Sequence, residues 1–209
     1  KKKALSYTGS FARLEQAWLG KAGRPLIPGL VLYAMSDGSF AVWDPARNYW
    51  QKKGNIDVQE RAPAYVFNPS QIWNGLSIKG ENGEIKVLSQ GFLTDVNNWK
   101  LMNGPAWELF SKVAELLSPA DEPLVMGISR RIDLEETRDI PTLNTLLVEN
   151  LPVVYASAAV KRILALAYCL VWAWQEHLEA AKQLDQEPED NIIFLIDEVE
   201  QPLPPKWQR

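Results

Sequence analysis

NIIFLIDEVEQPLPPKWQR, residues 191–209, is the stretch on which the fold turns. A short apolar run, Ile192–Ile196, ends in Asp197-Glu198. The run is apolar on both alternations, as a strand covered on both faces of a parallel sheet is. Ligands of open α/β sheets bind at the carboxyl ends of such strands, where Asp197 and Glu198 fall. In phosphoryl transfer an aspartate at that place holds Mg2+, and an adjacent carboxylate orients or deprotonates the attacking water. A structural strand leaving a core through an acidic turn has the same pattern. These residues alone do not choose between the two readings.

A second stretch bears on the choice. In VVYASAAVKRILALAY, residues 153–168, Ser157 follows a strand-like segment and precedes the longest helical pattern of the chain, so it is a natural N-cap. The free N–H groups of Ala158, Ala159 and Val160 would point out of that helix end and favour an anion. Lys161 and Arg162 lie in the same turn, where the helix dipole disfavours cations. Their placement calls for an acidic side chain or a bound phosphate as an offset. The alternative is a plain cap with two solvated basic residues.

Composition sets the frame for both stretches. The chain has 209 residues, 46% hydrophobic and 23% charged, enough to bury a core without disulfides or metals. With 22 basic and 26 acidic side chains the net charge is −4, which argues against a nucleic-acid or membrane-surface protein on bulk electrostatics. The lone cysteine, Cys169, falls in an apolar helical run and reads as a buried, inert thiol. The opening KKKALSYTGSF has no apolar leader region, and the longest apolar run, residues 163–174, is too short to span a bilayer. A cytoplasmic protein is expected. The nine tryptophans follow no period, so no repeat array is implied.

Along the chain, a helix is expected over residues 11–19. LVLYAMSDGSFAVWDP reads as a hairpin, with strands over 30–35 and 39–43 around Asp37-Gly38. A short strand over 64–67 and a helix starting near Ser70 follow, then a turn at Asn82-Gly83. Residues 88–117 read as two helices broken at Asn103-Gly104-Pro105, with Trp107, Phe110, Val113, Ala114 and Leu117 on one face of the second. Short strands and charged loops lead to the long helix over 158–184 and a strand over 191–196. This order implies an α/β fold with α+β insertions. His177, the only histidine, rules out a multi-histidine metal site; flanked by Glu176 and Glu179, it reads as solvated. Arg130, Arg131 and Arg138 have acidic neighbours and make a poor nucleic-acid patch.

Taken together, a serine-capped helix with basic residues followed by a strand ending in Asp-Glu resembles the ABC-type AAA ATPases related to RecF, SMC and OLD proteins. Their signature motif has the form S-x-G-x-K/R-R, and their Walker B is hhhhDE followed by xExxLHPxWQ. The matching residues are Ser157, Ala158, Ala159, Val160, Lys161 and Arg162, then 192–198 with Glu200, Leu203, Pro205, Lys206, Trp207 and Gln208. AYVFNPSQIWNG, residues 64–75, matches the Q-loop region more weakly, with Gln71 the candidate contact to magnesium and water. The resemblance is specific from Pro152 onward.

It implies a partial P-loop NTPase fold of the ABC/RecF type, a mixed sheet with a helical subdomain. N-terminal strands and hairpin are expected over 1–63, the Q-loop and helical subdomain over 64–150, and the signature helix and Walker B strand over 151–209. It implies ATP and Mg2+ as cofactors and a nucleotide sandwiched between two subunits. Asp197 would bind Mg2+ through water and Glu198 would be the base. Ser157, Ala159, Lys161 and Arg162 would face the nucleotide of a second ATPase subunit. Coupling to DNA or to a defence or repair nuclease is the implied role.

The chain departs from the pattern in three ways. No G-x-x-x-x-G-K-S/T occurs in it; LGKAG, residues 19–23, has Glu15 at the first glycine position and Ala22 at the hydroxyl position. In the family that motif lies upstream and further strands follow Walker B, so a chain cut at both ends is expected. Ala159 stands where the signature glycine belongs, and Pro202 and Pro204 replace the histidines of the usual HLH. A catalytically inactive, degenerate interaction module is the alternative expectation.

Overall fold

The computed structural model describes residues 29–46, 65–80 and 82–198. Of four further short strands it describes the backbone. These form two isolated antiparallel hairpins, β1 (Ser10–Ala12) with β2 (Ala17–Leu19) and, later in the chain, β5 (Gln51–Lys53) with β6 (Ile56–Val58). The helix expected over 11–19 is therefore a hairpin. Its few apolar residues fit either period, and pairing between the two arms decides.

The principal sheet has four strands in the order β13-β3-β4-β7, formed by β3 (Leu30–Ala34), β4 (Phe40–Trp43), β7 (Tyr65–Phe67) and, from the far end of the chain, β13 (Ile192–Ile196). Strands β3 and β4 make the expected hairpin. Asp37 shapes its turn by accepting from the Ser39 N–H (2.8 Å) and hydroxyl (3.0 Å), while Gly38 supplies the positive φ of 89°. Strands β3, β4 and β7 are antiparallel neighbours, and β13 pairs with β3 in parallel, so the sheet is mixed.

Asn68 opens α1 (Pro69–Asn74) through a capping box with Gln71. A hairpin of β8 (Leu76–Lys79) and β9 (Ile85–Ser89) turns at the expected Asn82-Gly83. Helices α2 (Phe92–Met102) and α3 (Pro105–Leu116) are separated at Asn103, which is left-handed at φ 47°, and Gly104. The first of the two helices was expected from residue 88. It starts later because Leu88 and Ser89 belong to β9. On α3, Phe110 and Ala114 are buried and Trp107 and Val113 half-buried, as the apolar spacing predicts, whereas Leu117, expected on the same face, is the C-cap and is exposed. A small sheet of β10 (Val125–Met126), β11 (Thr142–Asn144) and β12 (Leu151–Pro152) precedes the 26-residue helix α4 (Ala158–Gln183).

Helix α4 is the spine. It contains no glycine or proline and is rich in alanine and leucine, so nothing interrupts it over about 39 Å. Leu30, Leu32 and Ala34 of β3, Phe40 and Val42 of β4 and Phe67 of β7 are buried in one core with Ile163, Leu164, Ala167, Val171 and Trp172 of α4. Burying each large apolar side chain there contributes ~1.5–3 kcal/mol. Phe67 meets Trp172 edge-on at 5.0 Å, and Phe92 touches Trp73, Phe110 and Tyr168 at 4.6, 6.0 and 5.7 Å. Trp172 and Trp174 pack in different directions, the latter against His177. Cys169 is buried, and burial pushes its thiol well above the usual range, as an inert thiol requires.

Two expectations are corrected. Strand β13 is not covered on both faces: it is an edge strand, and Ile192, Ile193, Leu195 and Ile196 are between 39% and 51% exposed. Among the described residues it pairs with β3 alone. His177 is not solvated but 1% exposed, because its helical position continues the buried stripe of Ala173 and Ala181. No described helix is long and apolar enough to cross a membrane.

Candidate functional site

The long helix begins beside the carboxyl ends of two parallel strands. Ser157 caps α4 with extended backbone (φ −61°, ψ 159°), its side chain accepting from the Val160 N–H at 3.3 Å. Ser157 and Ala158 are exposed, so the first N–H groups of the helix face outward, and no acidic residue lies in the first turn. Ala159 is buried; its methyl packs into the core where the resembling motif has glycine.

The offset that the two basic residues call for is supplied in part from the β3–β4 turn. Arg162 Nη2 donates to the Met35 carbonyl at 2.6 Å; burial lowers its pKa, and the nearby Asp37 carboxylate opposes that only in part. Asp37 is in turn held below the usual carboxylate range, first by the Ser39 bonds and also by the Arg162 charge. Lys161 is half-buried and makes no ion pair among the described residues. A cleft of about 460 Å³ opens between the turn, α1 and α4, lined by Ser36, Asp37, Trp73, Ala158, Lys161 and Arg162.

Asp197 follows β13 directly. Its N–H donates to the Ala34 carbonyl at 2.9 Å, which places it at the carboxyl end of a parallel strand pair. Its neighbour Glu198 is exposed and left-handed at φ 48°. Ala34, the last residue of β3, receives Asp197 and Met35, the residue after it, receives Arg162, so two consecutive carbonyls tie the closing strand and the start of α4 to one end of the sheet. Among the described residues no three His, Cys, Asp or Glu gather to hold a metal ion. Asp197 is a single carboxylate that could meet Mg2+ through water, with the remaining ligands supplied by a nucleotide. Gln71 is not free for that role as it stands: its Oε1 accepts the Asn68 N–H at 2.9 Å in the capping box. Glu200, Leu203, Pro205, Lys206, Trp207, Gln208, the Pro202 and Pro204 substitutions, and residues 20–23 with Glu15 lie outside the described residues.

Two buried polar nodes escaped the sequence reading. At the far end of α4, His177 Nε2 accepts the Glu189 N–H at 3.0 Å, so the proton sits on Nδ1, which donates to Asp44 Oδ1 at 2.7 Å. Asp44 also accepts from the Ala46 N–H. The node ties α4 to the end of β4 and to the loop that enters β13. Midway along the helix, the Gly91 N–H donates to Ser89 Oγ (3.0 Å), which bonds the Tyr168 hydroxyl (2.9 Å), which donates to Asp95 Oδ2 (2.7 Å). Burial pushes Asp95 up to about 6; the Tyr168 bond opposes this and the Glu176 charge adds to it. Only the helical spacing of His177 and Tyr168 with buried neighbours could have signalled either node.

A second cleft, of about 610 Å³, lies between α2 and the loop bearing Ser129, Arg138 and Asp139. Its polar groups are satisfied locally. Lys100 bonds the Gly127 carbonyl, Arg138 pairs with Glu136, and Ser129 bonds Asn97. Arg131 donates to the Thr137 carbonyl. Arg138 also reaches Asn74 of α1 at 3.3 Å, so these cations have partners within the protein.

Comparison with family models, with curated proteins and with solved structures finds no match to this chain. The fold defines a mixed α/β protein with a mixed sheet, a long spine helix and a helical layer.

Proposed function

We propose that the chain carries the signature helix and the Walker B strand of an ATPase of the ABC/RecF type, a partial P-loop NTPase in which nucleotide is held between two subunits. The observation that carries this reading is the convergence at one sheet end. Asp197 is bonded to Ala34 and Arg162 to Met35, with the open, Ser157-capped end of α4 beside them. An acid at the carboxyl end of a parallel strand and a helix N-terminus at the same end suit a polyphosphate and its cation.

In this reading Asp197 holds the water shell of Mg2+, which neutralises phosphate charge when bound. Glu198, exposed beside it, orients the attacking water. Ser157 and the N–H groups of Ala158 and Ala159 face the γ-phosphate of the second subunit's ATP. Lys161 adds positive charge; Arg162 keeps the helix end in place through Met35. A P-loop must come from elsewhere, because the sequence has none. DNA or a nuclease as the coupled partner belongs to the same proposal.

The test is phosphate release by this chain alone and mixed with a P-loop-bearing ATPase chain of that type. Turnover in the mixture only, lost with Glu198→Gln and reduced about a hundredfold with Ser157→Arg, is expected. No turnover under any mixture favours the second reading, an inactive interaction module. Two observations lean that way: Gln71 is engaged in its capping box, and Ala159 fills the glycine position with a buried methyl.

A further inference from the structure

Strand β13 is built for burial yet stands at an edge. Asn191 accepts from the Leu30 N–H, and Asp197 donates to Ala34. In a parallel ladder this alternation turns the backbone groups of Ile192, Phe194 and Ile196 away from β3, and among the described residues no further strand joins that side of the sheet. None of the usual edge protections is present within Ile192–Ile196: no lysine, no proline, no bulge. The face of the sheet turned away from α4 is apolar too, with Tyr33 37%, Val66 56%, Ile193 39% and Leu195 51% exposed.

Charge discriminates among occupants. Glu187, Glu189 and Asp190 precede the strand and Asp197 and Glu198 follow it, and none of the five is in an ion pair among the described residues. Antiparallel pairing of β13 with a second copy would set the leading acids of one against the trailing acids of the other. That arrangement is repulsive. A strand with apolar residues at its centre and lysine or arginine at both ends meets apolar with apolar and acid with base.

We propose that the outer edge of β13 is a strand-addition site for an extended partner segment of that composition, a short apolar core flanked by basic residues. The inference is independent of ATP chemistry. The probe is the heptapeptide Lys-Val-Thr-Val-Thr-Val-Lys against its glutamate-ended counterpart, with the full chain, by fluorescence anisotropy and amide hydrogen exchange. Saturable binding of the basic peptide is expected, weakened about tenfold or more between ~0.05 and ~0.5 M salt, with new protection at the amides of Ile192, Phe194 and Ile196. Glu187→Gln with Glu189→Gln and Asp190→Asn should cut affinity several-fold. Ile192→Pro, which removes an outward N–H at the first strand position where proline is tolerated, should cut it further. Equal binding of the acid-ended peptide, no binding, or those amides already protected in the free chain or in a concentration-dependent dimer would each overturn the proposal.

Discussion

At position 177 a histidine does the work of a tether. Its ring spans from Asp44 to the Glu189 backbone, with both nitrogens engaged in a site 1% exposed. Replacing it with phenylalanine keeps the volume but removes a partner from a buried carboxylate. His177→Phe is expected to cost ~2–4 kcal/mol in urea unfolding, and a double-mutant cycle with Asp44→Asn should show coupling of at least ~1 kcal/mol. Additive effects would mean the two side chains do not act as a unit. Asp95 makes a different prediction. Its folded pKa of about 6 lies above its ordinary value of 3.8, so the folded state holds the proton more tightly. The stability this gives is complete below 3.8 and is lost as pH rises through 6, a change of up to ~3 kcal/mol. Asp95→Asn should flatten melting temperature against pH across that window while keeping an acceptor for Tyr168. An unchanged slope would place the titration elsewhere.

Elements depend on caps and junctions more than on propensity. Helix α1 ends at Gly75 and α2 begins after Gly91, and the two backbones touch: a Cβ on Gly91 would lie 2.2 Å from the Gly75 nitrogen and 2.6 Å from the Asn74 carbonyl carbon. Gly91 also has φ 83°. Because the obstacles are main chain, nothing can give way, and Gly91→Ala should destabilise by at least ~2 kcal/mol in denaturant melts. At the start of α4 the Ser157 cap bond is long at 3.3 Å and exposed, so Ser157→Ala should cost only ~0.5–1 kcal/mol, and Ser157→Gly a few tenths. A larger loss would show that Ser157 supports more than its helix. The Asp37-Gly38 hairpin, the break at Asn103-Gly104 and the Ser157 start were all legible, because each depends on residues within one turn of itself. The 11–19 segment was not: its period was ambiguous, and its partner strand decided it.

On the scale of the whole molecule, one face of the principal sheet is occupied by α4 and the other carries half-exposed apolar side chains. A dye such as ANS should therefore fluoresce with the native protein, and Val66→Thr with Leu195→Lys should suppress the signal with little change in melting temperature. Undiminished fluorescence would locate the exposed surface elsewhere. The sequence by itself determined the local pieces: the IIFLI strand and its Asp197-Glu198 exit, the serine-capped spine helix, the turns, and the inert Cys169. Tertiary structure alone decided that β13 joins β3, a partner more than a hundred and fifty residues earlier, and that it stays at the edge. It alone joined His177 to Asp44 and brought Arg162 under Met35. The reason is physical. Periodicity and capping are set by neighbours along the chain, whereas burial and hydrogen-bond partnership are set by whichever distant surface the chain folds against.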